Sequence, residues 1–169
     1  MSERGRGVAV MMGLLVLVAV AQGAFAAASE QDMVARGRYL SSVAGCNDCH
    51  TPGFLMTEGK VPEELWLTGS NFGWRGPWGT TYATNLRLFM ANLTEEEWLT
   101  TAKNLKARPP MPWFTLNDMH DEDLRAIYHY VRHLGAGGKE APAYVPPDQV
   151  PPQPYALFPS PPPENKGQK

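Results

Sequence analysis

Apolar residues recur at helical spacing in three stretches of this chain. Met33, Tyr39, Leu40 and Val43 share one face of a helix predicted from about Glu30 to Val43, with Gly37 beside that face. Thr94 and Glu97 make a capping box that opens a second helix, whose apolar positions are Trp98, Leu99, Ala102 and Leu105. Three successive glutamates, Glu95 to Glu97, suit the positive end of that helix. A third helix is predicted from about Asp121 to Leu134, with Leu124, Ile127, Tyr128, Val131 and Leu134 as its stripe. Asp121, Glu122 and Asp123 load its first turn, and Gly135 is placed to end it. Between His50 and Thr94 no period of two or 3.6 persists, and Gly, Pro, Thr and Asn dominate. Such a segment inside a small domain predicts a functional wrap. The pattern as a whole predicts an all-α fold of three or more helices, occupying about Ser29 to Leu134.

Both ends depart from this pattern. Arg4 and Arg6 precede an apolar run from Val8 to Val20, broken by Gly13, and Ala24-Phe25-Ala26 follows as a small-x-small site. That order is a secretory signal peptide, expected to occupy residues 1–26 and to be cleaved. Val8 to Ala28 is also long enough to span a bilayer, so a retained anchor is the competing reading. At the other end, ten of the 22 residues from Pro142 to Pro163 are proline. This composition favours polyproline II or disorder. Residues 27–138 are thus expected to form the folded domain and 139–169 an extended or disordered tail, lying on its own domain or along a partner.

Charge narrows the function by exclusion. Fifteen basic and 17 acidic side chains nearly balance, with no basic block to bind nucleic acid or a membrane surface. The two cysteines carry the chemistry. Cys46 and Cys49 are the only ones in the chain, and the next residue is His50. A disulfide between them would close a tiny loop and stabilise little. A thioredoxin-like pair would need a βαβ context, which the pattern lacks, and a zinc site would need more cysteines. Cys46-Asn47-Asp48-Cys49-His50 is instead the C-x-x-C-H of covalent c-type haem attachment. Two thiols three positions apart can reach one edge of a porphyrin while His50 meets the iron. An export signal agrees with a periplasmic location.

The second axial position has Met56, Met90, Met111, Met119, His120, His129 and His133 as candidates. Met111 stands out, because it lies in Arg108-Pro109-Pro110-Met111-Pro112-Trp113. Three prolines fix the local φ angles and make a stiff, extended strap for a thioether. Met90 reads as packing, Met119 as a staple at a helix entrance, and His129 with His133 as a solvated face. A His/Met pair raises the reduction potential and closes the iron to external ligands.

With these features in order, the stretch from about Asp32 to Leu134 resembles the class I c-type cytochromes. The resemblance implies a close crossing of the first and last helices, with Gly37 and Tyr128 as the pair. Gly76-Pro77-Trp78-Gly79, Ala83-Thr84-Asn85-Leu86 and Pro110-Met111-Pro112-Trp113 are similar to motifs of bacterial cytochromes that serve membrane-associated alcohol and aldehyde dehydrogenases. Those subunits often carry three haem motifs, and this chain has one. Trp74, Arg75, Trp78 and Tyr82 are then expected either to donate hydrogen bonds to the haem propionates or to pack on the porphyrin. The other ring nitrogen of His50 is expected to meet a backbone carbonyl, with Pro52 and Pro62 as candidates. The expected function is a periplasmic single-electron carrier with one covalent haem c and no catalysis of its own. Its partners would be a redox donor and acceptor: a dehydrogenase, an oxidase or another cytochrome. Contact with a membrane would come only through a partner or a retained signal. The alternatives are an obligate cytochrome subunit of a dehydrogenase or oxidase complex, and a haem enzyme or gas sensor with an open sixth position.

Overall fold

Ser29 starts the first helix, α1 (Glu30–Val43), by accepting from the Asp32 amide while Asp32 reaches back to the Ser29 amide. In the computed structural model, which describes residues 29–159, α1 packs against the last helix, α6 (Asp121–Leu134). The approach is closest at Gly37. A Cβ there would lie 1.9 Å from the Ala126 carbonyl oxygen and 2.7 Å from the Tyr130 Cβ. The helix that faces Gly37 therefore presents Ala126 and Tyr130. Tyr128, the expected partner, is half-buried and donates instead to the Leu93 carbonyl at 2.8 Å. The buried face of α1 shifts for the same reason. Gly37 and Ser41 are buried, whereas Tyr39 and Val43 are 62% and 60% exposed. Close helix approach selects the stripe of small residues over the stripe of large ones.

Between these two helices the chain forms α2 (Cys46–His50), α3 (Leu86–Ala91), α4 (Glu95–Asn104) and α5 (Trp113–Asp118). Thr94 and Glu97 form the predicted capping box of α4. The core gathers Trp98, Leu99 and Ala102 of α4, Met90 of α3, Leu124, Ile127, Tyr130 and Val131 of α6, and Trp66 and Leu67. The indole of Trp98 donates to the Leu124 carbonyl at 2.8 Å, so the buried N–H has its partner. Arg87 of α3 is buried, and its guanidinium donates to the carbonyls of Glu64, Leu134 and Gly135. It thereby satisfies carbonyls at the end of α6 that have no partner within the helix, and sets a cation at the negative helix end.

His129 of α6 joins three elements. It lies 2.7 Å from Glu30 of α1 and 3.0 Å from Glu95 of α4, and Glu95 also pairs with Arg125. Burial alone would lower the His129 pKa, but the two carboxylates outweigh it and hold it above its ordinary value. A raised folded-state pKa stabilises fully below the unfolded value, about 6.5, and the contribution fades as pH rises through the folded value. Denaturant midpoints of the protein and of His129→Gln are therefore expected to differ most below about pH 6.5, the ordinary histidine value, and to converge as pH rises through the raised folded-state value. A gap that widens with pH would reverse the sign and sink this account.

The all-α expectation is corrected by a small sheet. β1 (Gly73–Gly76) and β2 (Gly79–Tyr82) form an antiparallel hairpin, with Trp74 opposite Thr81 and Pro77-Trp78 at its tip. Gly79 has φ +97, which a side chain would resist. The tail supplies β3 (Tyr155–Leu157), parallel to β1, in the order β2-β1-β3. Strands this short carry no legible period, and turn residues surround them. Pro154 and Pro159 flank β3, which sits at a sheet edge, where proline is tolerated. Val145 adds a further bridge to Thr80. Up to residue 159 the Pro-rich tail thus lies extended on its own domain. The expected signal peptide and residues 160–169 lie outside the described residues. Among the described residues, no helix is long and apolar enough to cross a membrane.

Candidate cofactor site

Gly45 turns the chain out of α1 and directly into α2, the single helical segment that carries Cys46, Cys49 and His50. One turn of helix places residues three and four apart on the same side. Its far end is tied down by a relay. The Leu67 amide donates to the Thr51 hydroxyl at 2.8 Å, and that hydroxyl donates to the Asn47 side-chain oxygen at 2.7 Å. The His50 carbonyl accepts from the Gly69 amide at 2.8 Å. Leu67 itself has φ +59, a conformation that a leucine holds only under constraint.

His50 is buried, and its Nδ1 lies 2.7 Å from the Thr84 carbonyl oxygen. A carbonyl only accepts, so Nδ1 carries the proton and Nε2 keeps its lone pair. Burial pushes the His50 pKa down, against the pull of that carbonyl, and favours the neutral ring. A neutral imidazole with Nδ1 anchored to a carbonyl is the form that ligates a metal. The acceptor is Thr84, not Pro52 or Pro62. Its position follows from the Ala83-Thr84-Asn85 run. The Ala83 carbonyl accepts from Ser70, and the Asn85 side chain accepts from the Leu88 amide while donating to the Gly137 and Lys139 carbonyls. No feature of residue type marks a backbone carbonyl as an acceptor, which is why Thr84 escaped the sequence reading.

The two thiols are free and half-buried. Burial pushes the Cys46 thiol up to about 11, and burial with Asp48 nearby raises Cys49. A redox-active pair needs a depressed thiol pKa, so this environment opposes a thioredoxin-like role.

The four aromatic and basic residues of the hairpin divide. The Trp78 indole N–H and the Tyr82 hydroxyl are buried and have no hydrogen-bond partner among the described residues. Each such group costs about 1–3 kcal/mol when left unpaired. Two orphaned donors on one hairpin fit an acidic group of a cofactor. Trp74 packs with Phe72 and Phe158, at ring-centre distances of 5.3 and 6.0 Å. Arg75 donates to the Gln149 carbonyl at 2.6 Å and the Pro147 carbonyl at 3.1 Å, so its guanidinium holds the tail.

Met111 is half-buried in the connection between α4 and α5. The strap around it is anchored on both sides: the Thr81 hydroxyl donates to the Pro109 carbonyl at 2.8 Å, and the Trp113 amide donates to the Met111 carbonyl at 2.9 Å. Lys106 covers the Trp113 ring at 3.7 Å. Of the competing ligands, Met90 is wholly buried in the core, Met119 packs against it, Met56 is 88% exposed, His120 and His133 are exposed, and both His129 nitrogens face carboxylates. Among the described residues no cluster of three His, Cys, Asp or Glu is poised for a metal ion.

The residues present therefore fit a haem: two thiols on one helical turn, a neutral histidine of fixed tautomer, a thioether on a braced strap, and two orphaned donors. The chain is similar to the fructose dehydrogenase cytochrome subunit of Gluconobacter japonicus, at 28% identity over 62% of this chain. It spans 22% of that protein's length. No protein-family model and no solved structure matches the chain.

Proposed function

We propose that this chain is a single-haem c-type cytochrome that carries electrons one at a time outside the cytoplasm. The observation that carries the reading is the Cys46–His50 turn, with the His50 ring oriented by the Thr84 carbonyl and held neutral by burial. A haem attached there supplies a one-electron iron couple. Cys46 and Cys49 would hold it covalently, His50 Nε2 would ligate one face and the Met111 sulfur the other. Trp78 and Tyr82 would donate to its carboxylates and lose their unpaired state. A strap stiffened by three prolines moves little when charge changes, which suits transfer of electrons more than binding of a substrate. The signal-like N-terminus supports a periplasmic location.

The second reading is a cytochrome subunit or partner of a dehydrogenase. It rests on the similarity to the fructose dehydrogenase subunit and on the Gly76–Gly79, Ala83–Leu86 and Pro110–Trp113 motifs. Co-purification with a larger flavin- or quinone-dependent protein favours it; a monomer at low concentration favours the free carrier.

Covalent attachment is tested by mass. Protein isolated from an exporting host is expected to keep the haem through denaturation, and Cys46→Ala with Cys49→Ala to lose it. Equal haem retention in the double variant would remove the attachment site from these two residues.

A further inference from the structure

Tyr144 of the tail touches both elements that the candidate site needs held. Its hydroxyl donates to the Trp78 carbonyl at 2.8 Å, and the Arg108 guanidinium lies 4.0 Å over its ring. Arg108 stands three positions before Met111 on the strap. The neighbouring Val145 exchanges two backbone hydrogen bonds with Thr80, at 2.7 and 3.0 Å, so Tyr144 sits on a fixed piece of chain. Its seat is shaped by Gly79, where a Cβ would come within 2.7 Å of the Tyr144 ring and hydroxyl. The strap is tied to the same sheet by Thr81 and Pro109. Further along, Arg75 holds Pro147 and Gln149, which keeps the tail from lifting away.

We propose that Tyr144 is a positioning residue: it clamps the Met111 strap to the Trp78 turn, and so the Pro-rich tail determines where the Met111 thioether lies. The proposal deepens the cytochrome reading and rests on it for the identity of the ligand. The mechanical part stands on the contacts alone. A tail that merely covered a sheet edge would not need an aromatic ring under a strap arginine.

The test compares full-length protein, as isolated, with Tyr144→Ala and Tyr144→Phe. Exchange of the Trp113 amide, which donates to the Met111 carbonyl, reports on the strap, whose three prolines carry no amide proton, and the far-red absorption assigned to iron–methionine sulfur reports on ligation. Losing a cation–π contact and a hydrogen bond together should raise strap exchange roughly tenfold in Tyr144→Ala. Tyr144→Phe keeps the ring and should rise by less. Exchange in α1 and α6 should stay unchanged, and the far-red band should weaken in Tyr144→Ala. Unchanged strap exchange in Tyr144→Ala overturns the clamp, as does a rise of equal size throughout α1 and α6 in both variants. A wild-type protein with haem but without the far-red band overturns Met111 as the ligand, and strap exchange then still decides whether Tyr144 clamps it.

Discussion

Replacing Gly37 with alanine is expected to remove a large share of the stability of the folded state. The new methyl carbon would sit 1.9 Å from the Ala126 carbonyl oxygen, a backbone atom that cannot turn aside. Relief requires α1 to move off α6, and with it the packing that buries Ser41, Ala126 and Tyr130. Overpacking against a flexible side chain costs about 1–3 kcal/mol. Separating two core helices costs more, at least about 4 kcal/mol, against a total stability of roughly 5–15 kcal/mol for a domain. The loss is read as denaturant midpoint or as yield of folded protein. Tyr39→Ala, at a position 62% exposed on the same helix, is expected to change stability by about 0.5 kcal/mol or less. A Gly37→Ala protein with an unshifted midpoint would contradict the close crossing.

The second large effect is expected at the proposed iron ligand. Met111→Ala should leave the fold intact, because Met111 is half-buried and outside the core cluster, and the bonds from Thr81 to Pro109 and from Trp113 to position 111 use backbone carbonyls that alanine retains. What it removes is the thioether. The far-red sulfur–iron absorption should disappear, the reduction potential should fall, and the reduced protein should bind carbon monoxide, which the unaltered protein should resist. Met56→Ala, at an exposed position, should change none of these. An unaltered protein that binds carbon monoxide readily would remove Met111 from the iron and revive the reading as a sensor or haem enzyme.

The helices were legible where local chemistry defines their ends. Thr94 and the acidic first turn of α6 mark starts that the structure reproduces. Cys46, Cys49 and His50 stood out by their C-x-x-C-H spacing, and the structure sets them on one helical segment. What escaped depends on partners distant in sequence. Gly37 announced a close approach, but Tyr128 and Tyr130 lie on different sides of one helix, and only the crossing geometry selects the second. Arg75 read as a donor, yet residue type does not say which acceptor it meets, and the tail carbonyls of Pro147 and Gln149 claim it. The sheet was hidden because β3 is three residues long among prolines, and its parallel pairing with β1 joins segments far apart in the chain. Thr84 acts through its backbone, so its side chain carries no signal for the contact with His50.

The central claim is that one covalent haem lies between His50 and Met111. The most direct measurement is the visible spectrum of the protein, isolated from an exporting host, in its oxidised and reduced states. The account predicts the sharp reduced bands of a c-type haem and, in the oxidised state, the weak far-red band of methionine sulfur on iron. A protein that carries no haem, or an oxidised spectrum without the far-red band, would contradict it.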